Sequence, residues 1–101
     1  MGMAKRPPIH PGKILKSAFL DEMQLSAYAL ARGLRVPPSR ITGIVKGECA
    51  INADTALRLS RFLGTTPRFW LNLQTHYELT VAERAYAKKI EVEIQPYAAT
   101  A

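Results

Sequence analysis

An all-α fold follows from three features of the sequence. Apolar residues recur at spacings of three and four in successive blocks. Prolines and glycines separate those blocks where helices start and stop, and Ser26, Asn52 and Thr66 each precede a block as capping residues. Five helices fit in 101 residues as one domain, and 48% apolar residues suffice to fill one core.

Residues 1–9 read as a flexible N-terminal arm, because Lys5-Arg6-Pro7-Pro8 has neither periodicity nor a core face. The first helix begins at Pro11, whose missing amide proton is no loss at a first helical position. Ile14, Leu15, Ala18 and Phe19 give it an inward stripe that runs on to about Met23. Ser26 caps a second helix through Leu34, with Leu30, Ala31 and Leu34 inward. Pro37-Pro38 forces a restart, so a third helix runs from Pro38 to Lys46 and ends at Gly47 in a left-handed cap. Asn52 caps a fourth helix, with Asp54 in its first turn favoured by the helix dipole and Gly64 closing it. Thr66 and Pro67 start a fifth, whose Phe69, Trp70, Leu73 and Tyr77 anchor the domain that spans residues 10–79. Residues 80–101 form a helical extension and tail. Val81, Ala82, Ala85, Tyr86 and Ile90 suit a helix, whereas Ile90 to Gln95 alternate like a strand, so the expectation is a helix to about Lys89 and then an extended segment. Such a segment is an edge open to a partner, unless it folds back on its own domain.

The net charge is +6, of which +4 lies within residues 24–64, as expected of a surface that meets phosphate. Cys49 is the single cysteine and no stretch has the length of a membrane span, so a cytoplasmic protein away from membranes is expected. Met1 to Pro8 lack the apolar segment of a secretory signal. His10, His76 and Cys49 match no metal-ligand spacing, and there is no glycine-rich phosphate loop or catalytic acidic pair. Neither an enzyme nor a cofactor is expected. Phe69 and Trp70 lie at helical spacing with Leu73 and Tyr77, which assigns them to a core or dimer interface rather than to base stacking.

The stretch from Leu30 to Gly47 is two short helices around a tight turn, the arrangement of a helix-turn-helix unit whose second helix lies in a DNA major groove. Ile41, Ile44 and Val45 would seat that helix, while Ser39, Arg40, Thr42 and Lys46 face base edges and phosphates and Gly43 lets the backbone approach the duplex. Neither Pro37 nor Pro38 carries a capping oxygen, so the amides of Ser39 and Arg40 are left for an outside acceptor such as a phosphate. Arg40 suits either a guanine, bidentately, or a phosphate. Ser26 and Tyr28 at the start of the second helix can contact backbone phosphates, Ser26 serving equally as an N-cap.

With that order in place, residues 10–77 resemble the HigA-type antitoxins of the phage-repressor-like (Xre) helix-turn-helix group. The resemblance is carried by His10-Pro11-Gly12-Lys13-Ile14-Leu15, Val36-Pro37-Pro38-Ser39-Arg40-Ile41, Ala53-Asp54-Thr55-Ala56-Leu57-Arg58-Leu59 and Gly64-Thr65-Thr66-Pro67-Arg68-Phe69-Trp70-Leu71-Asn72-Leu73-Gln74. It implies a five-helix, dimeric protein that binds a HigB-type toxin, an RNase cleaving messenger RNA at the ribosome, and represses its own operon at a palindromic operator of double-stranded DNA. Three positions depart from the pattern. Arg35 stands where glycine usually follows the second helix, so a left-handed turn there costs about 1 kcal/mol unless the turn differs; accepting that cost places a basic group near DNA. Ala27 replaces a common glutamine and Lys46 a frequent asparagine. A free-standing regulator without a toxin, and an adaptor that no longer reads DNA, are the competing functions. Candidate toxin surfaces are the first helix with the arm, or the Tyr86 to Tyr97 tail.

Overall fold

Helix boundaries in the computed structural model, which describes residues 6–98, fall where the capping residues put them. Met1 to Lys5 of the expected arm and Ala99 to Ala101 of the tail lie outside the described residues. The first helix, α1, joins an α-helical turn Pro11–Ile14, a π-helical segment Leu15–Leu20 and a last turn Asp21–Met23. His10 is its N-cap, with Nδ1 accepting the Gly12 amide at 2.9 Å. Leu15 and Leu20 are buried and Ile14 and Phe19 half-buried, whereas Ala18 and Met23 are exposed. The expected stripe through Ala18 to Met23 is therefore corrected. The apolar pairs repeat every five residues, and a five-residue hydrogen-bond step brings both pairs to one face where an α-helix would splay them.

Helix α2 spans Ala27–Leu34, α3 Pro38–Val45, α4 Ala53–Leu63 and α5 Pro67–Glu93. Ser26, Asn52 and Thr66 cap α2, α4 and α5 through their side-chain oxygens, as their positions require. Both α1 and α2 end in a non-glycine left-handed residue, Gln24 at φ 53° and Arg35 at φ 61°. Each end closes with the same pair of bonds: Leu25 N–H to the Leu20 carbonyl and Gln24 N–H to that of Asp21, then Val36 N–H to Ala31 and Arg35 N–H to Arg32. Gly64, at φ 78°, ends α4 and Gly47, at φ 80°, follows α3.

The strand reading of the tail is corrected. α5 continues unbroken through Glu93, and only from Ile94 is the backbone extended. Among the described residues there is no strand. Val92 and Ile94 are exposed, so the alternation of Ile90 to Gln95 marks no buried face. A helix already nucleated by its anchored first turns propagates through such a segment at little cost.

The core joins all five helices: Leu15 and Leu20 of α1, Leu30, Ala31 and Leu34 of α2, Ile41 and Ile44 of α3, Ala56 and Leu59 of α4, and Trp70 of α5. Trp70 is fully buried, its indole N–H donating to Thr65 Oγ1 at 2.7 Å, so it belongs to the core of the single chain. Phe19 and Phe69 pack on its ring. Buried Gln74 accepts the Ile51 amide at 2.9 Å and donates to Glu78 at 2.8 Å, tying the segment before α4 to α5.

Candidate nucleic-acid interface

α2 packs on α3, and α1 crosses beneath α3. The crossing is close at Gly12, where an added Cβ would strike the Ile44 carbonyl. Ile41 and Ile44 are fully buried and Val45 half-buried, so α3 is held along one face. At about 100° per residue, Ser39, Thr42 and Lys46 fall in one sector opposite that face. Ser39 and Lys46 are exposed and Thr42 half-exposed, its hydroxyl donating to the Ser39 carbonyl at 3.3 Å.

Arg40 lies off this sector. Its Nη1 donates to Asp54 Oδ2 at 2.9 Å, and the same oxygen accepts Arg58 Nε at 3.0 Å. The Arg58 hydrogen bond first, then the Arg58 charge and the Arg40 bond, hold Asp54 below the usual carboxylate range. Arg58 Nη1 also reaches the Leu34 carbonyl at 2.8 Å. One carboxylate on α4 thus links α3 to the end of α2, and the side chain expected to reach guanine or phosphate is held by Asp54. The i, i+4 spacing of Asp54 and Arg58 is the signal that could have disclosed this pair, but the Arg40 partner lies 14 residues away in sequence.

Gly43 meets the loop after α3. It is buried, a Cβ there would collide with Cys49 Sγ, and its carbonyl accepts the amides of Glu48 at 2.8 Å and Cys49 at 3.1 Å. Its small size admits the loop after α3. Pro37 caps α3 without a side-chain bond, as expected, yet the Arg40 amide donates to the Pro37 carbonyl at 3.0 Å. Among the described residues the Ser39 amide makes no such bond. Ser26 Oγ accepts the Ala29 amide at 3.0 Å, while Tyr28, 63% exposed, and Arg35 project into solvent. The left-handed turn at Arg35 is formed in spite of its side chain.

Cys49 is a free, exposed thiol, and His76 is exposed on α5. Among the described residues no group of three or more His, Cys, Asp or Glu side chains could hold a metal ion, and no helix is long and apolar enough to cross a membrane.

Residues 15–70 match the helix-turn-helix family. Virulence-associated protein I of Dichelobacter nodosus is 52% identical over 82% of the chain and 77% of its own length. Antitoxin HigA-1 of Vibrio cholerae is 33% identical over 88% of the chain and 84% of its length. The antitoxin HigA of Pseudomonas aeruginosa, solved with the higBA promoter, superposes with a TM-score of 0.87 at 46% identity, over 90% of this chain and 99% of that one.

Proposed function

Because the chain belongs to the HigA antitoxins of the helix-turn-helix family, we propose that it binds its own operator as a dimer, represses its operon and neutralises a HigB-type, messenger-RNA-cleaving toxin. The observation that carries the DNA reading is the outer sector of α3. Ser39, Thr42 and Lys46 stand together on a helix whose other face is fixed by Ile41 and Ile44. Donors and acceptors on a rigid seat are what base-edge reading requires. Ser39 and Thr42 suit base edges. Lys46, Arg35, Tyr28 and Ser26 suit phosphates on either side, and the Ser39 amide offers one further donor. Arg40, engaged by Asp54, acts in this reading by holding α3 in place.

Dimerisation has a candidate surface on the distal half of α5, where Leu79, Tyr86 and Ile90 are exposed at 55%, 56% and 51%. A short recognition helix reads few base pairs, and a two-fold axis places two such helices about 34 Å apart on one face of the duplex.

Binding of the gene's upstream DNA, followed by fluorescence anisotropy at two salt concentrations with a scrambled duplex as control, tests the DNA reading. Preferential binding that weakens with salt is expected, and Ser39→Ala should remove the preference for the palindrome. Equal affinity for both duplexes would overturn the repressor reading. Coexpression with a HigB-type toxin tests the toxin arm, where copurification and loss of messenger-RNA cleavage are expected.

A further inference from the structure

Beside the recognition helix, the segment before α1, the start of α1 and the end of α3 enclose an open groove of about 540 Å³. Arg6, Lys13, Lys16 and Lys46 line it, and no acidic residue does. Lys16 is paired with Asp21 at 3.0 Å, a contact in solvent; among the described residues Arg6, Lys13 and Lys46 have no ion-pair partner. Cations brought together from three segments repel one another, and an entering anion relieves that repulsion. Pro7, Pro8, Ile9 and Val45 complete the walls with apolar surface.

The groove is built on a fixed frame. Gly12 rests against the Ile44 carbonyl with no room for a Cβ, which sets Lys13 relative to the end of α3. Gly47, in its left-handed conformation, lies against the His10 ring. That ring in turn caps α1 and meets Tyr77 edge-on at 4.8 Å. Lys46 belongs both to this groove and to the outer sector of α3, so the cationic wall continues directly from the surface proposed to read bases.

We propose that the groove takes the sugar-phosphate backbone of duplex DNA flanking the bases read by α3. This rests on the DNA reading and extends it from the recognition helix to the segment before α1. The cations drawn from three segments suit a polyanion, and the apolar walls suit deoxyribose. Lys13 stands near the N-terminal end of α1, where a cation opposes the helix dipole, so its position is no help to α1 itself.

The test uses the full chain with Arg6→Gln and Lys13→Gln, separately and together, on two duplexes sharing one central palindrome. One duplex carries flanks of several base pairs and the other is trimmed to the core. On the flanked duplex each variant should lower the ratio of affinities at 50 and 200 mM salt about threefold, the loss of one phosphate contact. On the trimmed duplex the variants and the wild type should coincide, and base preferences should be unchanged on both. Wild-type affinity on both duplexes in the double variant would overturn the proposal, as would equal losses on both, which report only net charge. A variant that keeps its DNA affinity but no longer retains a coexpressed toxin would assign the groove to an acidic protein segment and overturn it too. If the wild type binds neither duplex, the DNA reading itself fails and the groove's assignment falls with it; the other outcomes leave that reading standing.

Discussion

His10 accepts the Gly12 amide through Nδ1, so that nitrogen must be unprotonated for the cap on α1 to exist. Partial burial holds the imidazole below its ordinary value of 6.5, against an opposing interaction with the Cys49 backbone. The folded state therefore favours the neutral ring. The cap's contribution is fully present above the unfolded value and is lost as pH falls through the lower folded value. Stability should accordingly decline as pH falls below about 6.5, the ordinary imidazole value. His10→Asn keeps an accepting side chain at the cap without titrating in that window, and urea unfolding at several pH values should show a flatter profile for it. Equal slopes for the two proteins between pH 7 and 5 would overturn this. Asp54 acts in a separate window. Its depressed carboxyl sustains the links to Arg58 and Arg40 at neutral pH and releases them only below the ordinary carboxylate range.

At the scale of elements, two glycines give opposite expectations from the same substitution. Gly12→Ala drives a Cβ into the Ile44 carbonyl, a backbone atom that moves only if α1 lifts from α3, and should destabilise by about 2 kcal/mol. Gly33→Ala meets the Phe62 ring at 2.5 Å, but that side chain is half in solvent and can turn aside. An alanine inside α2 also improves helix propensity by about 1 kcal/mol, so this variant should unfold at or above the wild-type temperature. Thermal melts of both decide the matter; a shift of the same sign in each would mean that the two contacts are misjudged. The same local logic explains what was legible in the sequence. Ser26, Asn52, Thr66 and Pro38 announce helix starts because a cap acts within four residues, and the inward sets of α2 and α3 follow from α-helical spacing. The π segment escaped an α-helical template, although Ile14-Leu15 and Phe19-Leu20 already repeat at five. The Arg40 link to Asp54 and the packing of Cys49 over Gly43 depend on how α4 and the loop after α3 return to α3, which helix periodicity does not encode.

The molecule is elongated, 57 × 35 × 22 Å, because α5 carries 27 residues and only its first half meets the core. From Val81 onward every described residue is exposed, including Tyr86, Ile90, Val92 and Ile94. Leu79, Ala82, Glu83, Ala87, Ile90 and Glu91 border an apolar groove along this projecting half. A single chain leaves that surface in water, where its burial against a second copy would contribute about 25 cal/mol for each Å² of apolar area covered. The proposed dimer thus explains why a helix longer than the core requires is retained, and it couples the two ends of the protein, since the two reading helices are spaced by how the α5 helices meet. Tyr86→Glu with Ile90→Glu places two carboxylates in the shared surface while touching no core residue. The helical content should persist, the mass in solution should fall to that of one chain, and affinity for the full palindrome should drop at least about a hundredfold, toward that for a half-site, as the second reading helix ceases to be tethered to the first. A variant that remains a dimer places the interface elsewhere on the molecule. A monomer that binds the palindrome as tightly as the wild type would show that two-fold symmetry has no part in reading the operator.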